Sequence, residues 1–245
     1  MSVAIIGGTG LTSLRNLEIT HREVVHTPYG EPSGPITHGQ LCGRQVMFLA
    51  RHGYGHTIPP HRVNYRANLW ALRHLGVDRL IAVAAVGGIA EEMGPGRLAI
   101  PDQIIDYTWG RQHTLFEDDL PHVTHVDFTH PYDRDLRRRL LAGAERAELS
   151  VMPAGTYGAT QGPRLETAAE IRRLRRDGCD MVGMTGMPEA ALARELGISY
   201  ATCAVCANWA AGLGGEEISM DQIEQVLKGG MEQVRRLLAE MIPSL

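Results

Sequence analysis

The chain has 245 residues, 44% of them apolar, and a formal net charge of -4. That length suffices to bury one large α/β core. The mildly acidic balance gives no electrostatic reason to expect nucleic acid or an anionic membrane surface as a partner. No segment approaches the roughly 20 apolar residues that cross a bilayer. Met1–Ile6 runs into a Gly-rich turn with neither a basic start nor a long apolar stretch, so no leader is expected and the cytoplasm is the expected compartment. Cys42, Cys179, Cys203 and Cys206 then read as free thiols.

Short β-branched runs alternate with helical patterns. In chain order, Val3–Gly7 and Gln45–Ala50 predict strands, Val63–Leu75 a helix and Arg79–Val86 a strand. Asp133–Ala147 and Glu166–Arg176 predict helices, Asp180–Gly183 a strand, Pro188–Leu196 a helix, Ile198–Cys206 a strand and Ser219–Ile242 a helix. The last has the clearest stripe (Ile223, Val226, Leu227, Met231, Val234, Leu237, Leu238, Met241), and Ser219 with Gln222 has the form of a capping box. Loops are expected at Thr27–Gly39, Tyr54–Pro60 and Arg111–His125, and the basic run Arg137–Arg139 reads as a solvated helix face. This alternation predicts an α/β fold, a single domain with a central mixed β-sheet flanked by helices on both faces. Cys203 and Cys206 have C-x-x-C spacing, but residues three apart on a strand face opposite sides, so neither a disulfide nor a shared metal is expected.

Five motifs fall at strand ends or the adjoining loops, where open α/β sheets bind ligands. The turn Ile5-Ile6-Gly7-Gly8-Thr9-Gly10-Leu11 fits a plain tight turn, a phosphate cradle or a dinucleotide site, although Ser13 stands where a dinucleotide fingerprint wants its third Gly. Arg51-His52 closes a strand, and either the Arg fork grips an oxyanion or the pair is a surface Arg beside a hydrogen-bonded His. The spacing of His52, His56 and His61 includes Gly and two prolines without a nearby carboxylate, so no metal is expected there. In Thr160–Thr167, Glu166 is either a favourable charge at a helix N-terminus or an acceptor for a base N–H. Val182–Glu189 sets Met184 beside Thr185, and Val205–Gly212 carries Asn208 to the end of a strand.

The collinear order of these motifs, together with Val86-Gly87-Gly88, His56-Thr57-Ile58, Val63–Asn68 and Gln103–Asp106, resembles the trimeric purine nucleoside phosphorylase family from Ile5 to the final helix. The subgroup in question acts on 5′-methylthio nucleosides. The resemblance implies one nucleoside phosphorylase type I domain over residues 1–245, pentosyl transfer in purine salvage, inorganic phosphate as co-substrate, no cofactor and a homotrimer. It puts phosphate on Thr9, Arg51, His52, Thr185 and the backbone N–H of Ala85, with Ala84 standing where relatives carry a Thr or Asn donor. Met184 is implied to lie against the ribose, and His125 to be lent to the neighbouring subunit's site.

Two aspartates of aminopurine-cleaving relatives correspond to Asn208 and Ala210. An amide donates to the O6 of a 6-oxopurine and accepts from a protonated N7, and Glu166 accepts the N1–H that only such bases carry. Asn208, His52 and Glu166 are therefore the expected catalytic set. Met220 and Ile223, in a region where inosine-cleaving relatives place a His, suit a 5′-methylthio group or simply pack the core. The expected reaction is phosphorolysis of a 6-oxopurine thionucleoside. Its alternatives are a general inosine/guanosine or a methylthioadenosine phosphorylase, and from other classes a nucleosidase, a dehydrogenase or a non-catalytic sensor.

Overall fold

Alternation along the first strand sets the two layers of the fold. In the computed structural model, which describes residues 2–11, 16–118, 120–215 and 217–245, β1 (Ser2–Gly7) sends Ala4 and Ile6 into one apolar core and Val3 and Ile5 into another. An antiparallel meander follows, β2 (Glu18–Glu23), β3 (Ile36–Leu41) and β4 (Arg44–Ala50), and β4 returns parallel to β1. A short 3-10 turn, Pro60–Arg62, leads to α1 (Tyr65–His74), whose N-cap Asn64 accepts from the Ala67 N–H. The long β5 (Val77–Gly88) then runs parallel to β1. After β6 (Leu98–Ala99) and β7 (Gln103–Asp106), α2 (Arg134–Arg146) starts at Asp133, which caps the Leu136 N–H.

The remaining elements are β8 (Val151–Met152), β9 (Thr156–Ala159), α3 (Ala168–Arg176), β10 (Met181–Gly183), α4 (Gly186–Glu195), β11 (Ser199–Trp209) and α5 (Met220–Met241). All strands join one mixed sheet with a main path β2-β3-β4-β1-β5-β10-β9-β7, while β11 branches from β5 and carries β6 and β8. Helices α1 and α4 cover one face through Leu69, Leu72, Ala190 and Leu192. Helices α2 and α5 cover the other through Leu136, Leu140, Val234 and Leu238. This is the α/β layering expected from the sequence. Cys203 and Cys206 fall in opposite cores and are free thiols.

The branch at β5 makes the site. Gly7 at the end of β1 pairs with Val83, and β10 joins the same strand antiparallel only at Gly87. Ala84, Ala85 and Val86 lie between those two partners, and all three line the main cavity. On the other edge β11 pairs throughout, from Ser199 opposite Arg79 to Trp209 opposite Gly88.

Several expectations need correction. β11 runs three residues past the expected boundary at Cys206, and Asn208 sits at the carboxyl end of that strand as expected. Ser219 makes no side-chain capping bond; the capping box belongs instead to Thr167 and Glu170 at the start of α3. Glu166 therefore precedes that helix and is not part of its first turn. Loop expected within Thr27–Gly39 includes the first residues of β3, whose Thr-His-Gly run hides its strand character. Strands β2, β6, β7, β8 and β9 carry no clear strand pattern in the sequence, being either mostly polar and exposed or only two to four residues long. Arg137 is no free solvated residue, since it donates to the carbonyls of Ile100, Pro101 and Pro153. Ser13 lies outside the described residues.

Candidate active site

A cavity of about 430 Å³ opens at the gap along β5 between the end of β1 and β10. That is room for a nucleoside-sized ligand. It gathers Thr9, Arg51, His52, Ala85, Thr185 and Met184 with Glu166, Asn208, Ala210, Met220 and Ile223. Every expected site residue except His125 is thus brought together within one chain; His125 is exposed on the long segment before α2 and does not line this cavity.

At one end stands Arg51, 1% exposed at the end of β4. Its fork lines the cavity but is already partly engaged. Nε donates to Glu189 Oε2 at 2.6 Å and Nη2 to Oε1 at 2.8 Å, while Nη1 donates to Val83 O at 3.0 Å. A guanidinium has five N–H groups, so two remain. Burial works against the Arg51 charge, but the adjoining Glu189 carboxylate outweighs it and raises the pKa. Glu189, fully buried on α4, also accepts from the Tyr200 hydroxyl at 2.8 Å. Sequence reasoning missed Glu189 as a partner, although it quoted the residue at the end of the Met-Thr motif. The signal was a lone carboxylate in the apolar run Met187-Pro188-Glu189-Ala190-Ala191-Leu192, which needs a cation once buried.

The Gly-rich turn serves Arg51 rather than offering a ring of free amides. The Gly8 N–H is already donated to Val83 O at 3.1 Å. A Cβ on Gly8 would sit 2.8 Å from Arg51 Nη1, so Gly is needed there to let the guanidinium in. Since N–H groups alternate sides along a strand, and the Val83 carbonyl points toward the end of β1, the Ala85 N–H points the same way, into the gap. The Thr185 hydroxyl makes no capping bond at the head of α4 and is left to the cavity.

His52 is fixed by Nδ1, 2.8 Å from the Ile58 carbonyl. Burial, and next the Arg51 charge, lower its pKa to about 4. Near neutral pH the ring is uncharged, donates from Nδ1 and presents a bare Nε2 lone pair. His56, excluded above as a metal ligand, sits edge-on to His52 with its Nε2 3.1 Å from Thr9 Oγ1. Among the described residues, only His21, Glu23 and His38 bring three metal-type ligand atoms within 4.8 Å of one another. They lie on the β2–β3 hairpin, outside the cavity lining, where Glu23 Oε2 is already 3.0 Å from His38 Nε2.

At the other end Glu166 accepts from the Thr160 hydroxyl at 2.5 Å, which fixes the carboxylate before α3 begins. A β-bulge in β11 between Cys206 and Asn208 inserts Ala207, so Ala207 and Asn208 both reach the cavity although adjacent strand residues normally diverge. Asn208 Nδ2 donates to Trp209 O at 2.7 Å, keeping its second N–H and its Oδ1 for a ligand. Ala210 is buried and packs with Val182 and Ile171. Met220, the first residue of α5, is 59% exposed and so is not core, whereas Ile223 packs partly against the core.

Comparison with known proteins places the chain in a family. A profile described as "Phosphorylase superfamily" matches residues 2–243. A Pseudomonas syringae protein named probable S-methyl-5'-thioinosine phosphorylase is 56% identical over 239 residues, covering 98% of this chain and 97% of the relative. The 6-oxopurine nucleoside phosphorylase of Pyrococcus furiosus is 47% identical over 246 residues, covering 98% of this chain and 92% of the relative. The methylthioadenosine phosphorylase of Schistosoma mansoni, solved with adenine, superposes with a TM-score of 0.94 at 31% identity, covering 100% of this chain and 91% of the other. The chain belongs to the phosphorylase superfamily.

Proposed function

We propose that this chain catalyses the phosphorolysis of S-methyl-5′-thioinosine, releasing hypoxanthine and 5-methylthioribose 1-phosphate. The observation that carries the reading is the pairing, in one cavity, of Glu166 and Asn208 at one end with Arg51, His52 and Thr185 at the other. Phosphate is held by Thr9, Thr185, the Ala85 N–H and the two free N–H groups of Arg51. His52, neutral with a bare Nε2, accepts a hydrogen bond from a P–O–H of the bound phosphate and stays uncharged. Ala84 leaves no side-chain donor at its position, and the remaining contacts carry the anion.

Met184 lies against the sugar while positive charge develops at the anomeric carbon. As the glycosidic bond breaks, electrons move onto the purine. Glu166 accepts N1–H, and Asn208 donates to O6 or accepts from protonated N7, so the leaving base is stabilised. Ala210 leaves space where a carboxylate would confront the O6 lone pairs. Met220, Ile223 and Leu227 give the 5′ substituent an apolar wall. The Pseudomonas relative supports the thioinosine reading. The exposure of Met220 and the Pyrococcus relative favour a second reading, a general 6-oxopurine nucleoside phosphorylase.

No cofactor is required. We further infer a cytoplasmic homotrimer in which His125 completes a neighbour's site. The exposed apolar side chains Trp109, Leu120, Val123 and Val126 on the same segment support such an interface. The deciding experiment is a panel of methylthioinosine, methylthioadenosine, inosine and adenosine, each with and without phosphate. Cleavage of methylthioinosine that needs phosphate supports the proposal; faster cleavage of methylthioadenosine, or turnover without phosphate, rejects it. Sedimentation at assay concentration tests the trimer.

A further inference from the structure

Arg111 stands on the loop between β7 and α2, with no place in the motifs above. It is half-buried. Nε donates to Gln161 Oε1 at 3.1 Å. Nη1 donates to the carbonyls of Met184 at 2.8 Å and Met187 at 2.6 Å. Nη2 donates to the carbonyls of Thr160 at 3.2 Å and Gln161 at 2.8 Å. The guanidinium also lies over the Tyr65 ring, 5.5 Å from its centroid.

All five N–H groups of the side chain are therefore engaged. None is left for phosphate, sugar or base, so Arg111 is not a catalytic residue. What it holds is specific. Met184 and Met187 bracket Thr185, and Thr160-Gln161 opens the turn that ends at Glu166. One side chain ties the segment bearing Met184 and Thr185 to the segment bearing the base acceptor. The two segments also touch directly: Gly162, at φ +58°, has no side chain where Met184 packs, and a Cβ there would sit 2.4 Å from Met184 Sδ.

From this geometry we infer that Arg111 is a positioning residue that fixes the distance between the phosphate end and the base end of the cavity. It acts by holding four backbone carbonyls and the Gln161 side chain, and it sets the geometry in which phosphate, sugar and purine are aligned. Lysine, with three donors and no planar fork, does not replace it.

The inference rests on the phosphorylase reading, and the test separates the two. Arg111→Met and Arg111→Lys are compared with Arg137→Met, which also removes an arginine bonded to three backbone carbonyls but outside the cavity lining. For each protein, melting temperature, kcat and both KM values are measured with methylthioinosine and phosphate. A misplacement of about 1 Å costs about a hundredfold, so Arg111→Met is expected to lose about that much in kcat/KM, with a raised KM for the nucleoside. Arg111→Lys is expected to fall between it and wild type. Arg137→Met is expected to lower the melting temperature by a similar amount while keeping kcat/KM within about twofold.

Free guanidinium at a sub-denaturing concentration is expected to restore part of the activity of Arg111→Met. Equal losses in the Arg111 and Arg137 variants, or KM values in Arg111→Met equal to wild type, overturn the inference. If Arg111→Met does not fold, Arg111→Lys decides alone on its KM for the nucleoside. Wild-type turnover tests the function itself; should it fail, hypoxanthine binding by calorimetry gives the same variant-to-wild-type ratio.

Discussion

The two ends of the cavity are built in opposite ways. The end proposed to hold phosphate is made of core: Arg51 and Glu189 are both at most 1% exposed, joined by two charge-assisted bonds and tied to Tyr200 and Val83. The end proposed to hold the nucleoside is made of margins: Glu166 has one side-chain partner, Asn208 bonds to the adjacent carbonyl, and Met220 stands mostly in solvent. A side chain with many buried partners cannot change without cost to the fold, whereas one with a single partner can. On the proposed reading the buried end accordingly carries the reaction, and the other end is where specificity is free to vary. Each experiment below presses on that contrast.

The largest effect is expected on the buried pair. Glu189→Ala leaves the Arg51 charge buried without its partner, and loss of one member of such a pair costs about 3–5 kcal/mol. Urea unfolding is expected to show that loss together with abolished phosphorolysis. A variant as stable as wild type would mean that the pair is not the foundation of the phosphate end.

Next comes His52, whose pKa is lowered to about 4, first by burial and then by the Arg51 charge. Between the ordinary imidazole value near 6.5 and about 4, the unfolded chain takes up a proton that the folded chain refuses. Stability therefore falls as pH drops through that window, by up to about 3 kcal/mol, and this contribution is fully present above pH about 6.5. His52→Gln has no such group, so its unfolding free energy is expected to change less than wild type between pH 7 and 4.5. Parallel curves for the two proteins would show that the ring is not held neutral.

How far the sequence exposed this arrangement follows the same divide. The layers were legible because both faces of β1, β5 and β11 are buried, giving unbroken apolar runs, and because α5 has a continuous stripe. The polar edge strand β2 and the two-residue strands carry no such pattern, since their pairing is set by neighbours distant in sequence. Motif order pointed to residues that the fold gathers in one cavity, whereas Glu189 and Arg111 carry no such signal. An ion pair linking residues 51 and 189, or a clamp joining residue 111 to carbonyls at 160–187, leaves no local spacing to detect. The same limit applies to the bulge at Ala207, which decides where Asn208 points.

At the base end, Asn208→Asp combined with Ala210→Asp presents carboxylates to O6 while giving the adenine amino group acceptors. Mismatched polar pairing of this kind discriminates by several kcal/mol. The ratio of kcat/KM for methylthioinosine over methylthioadenosine is expected to fall about a hundredfold or more, with the phosphate KM within about threefold of wild type. The second half of that outcome sharpens the contrast between the two ends. A large rise in the phosphate KM would mean that they are coupled through β11 and not independently adjustable.

The smallest effect is expected at the sugar. Burying a methylthio group against apolar side chains is worth roughly 1–2 kcal/mol, and the exposure of Met220 in one chain limits its share to the lower part of that range. Met220→Ala should thus lower kcat/KM for methylthioinosine relative to inosine by about fivefold, with Ile223→Ala giving a comparable or larger change because its side chain is more enclosed. Both variants should leave inosine cleavage and phosphate binding nearly untouched, since neither residue approaches Arg51, Thr185 or Glu166 through a bonded partner. If the two substrates lose equally, the methionine is not a selector for the 5′ group, and the general 6-oxopurine reading becomes the better account of this site.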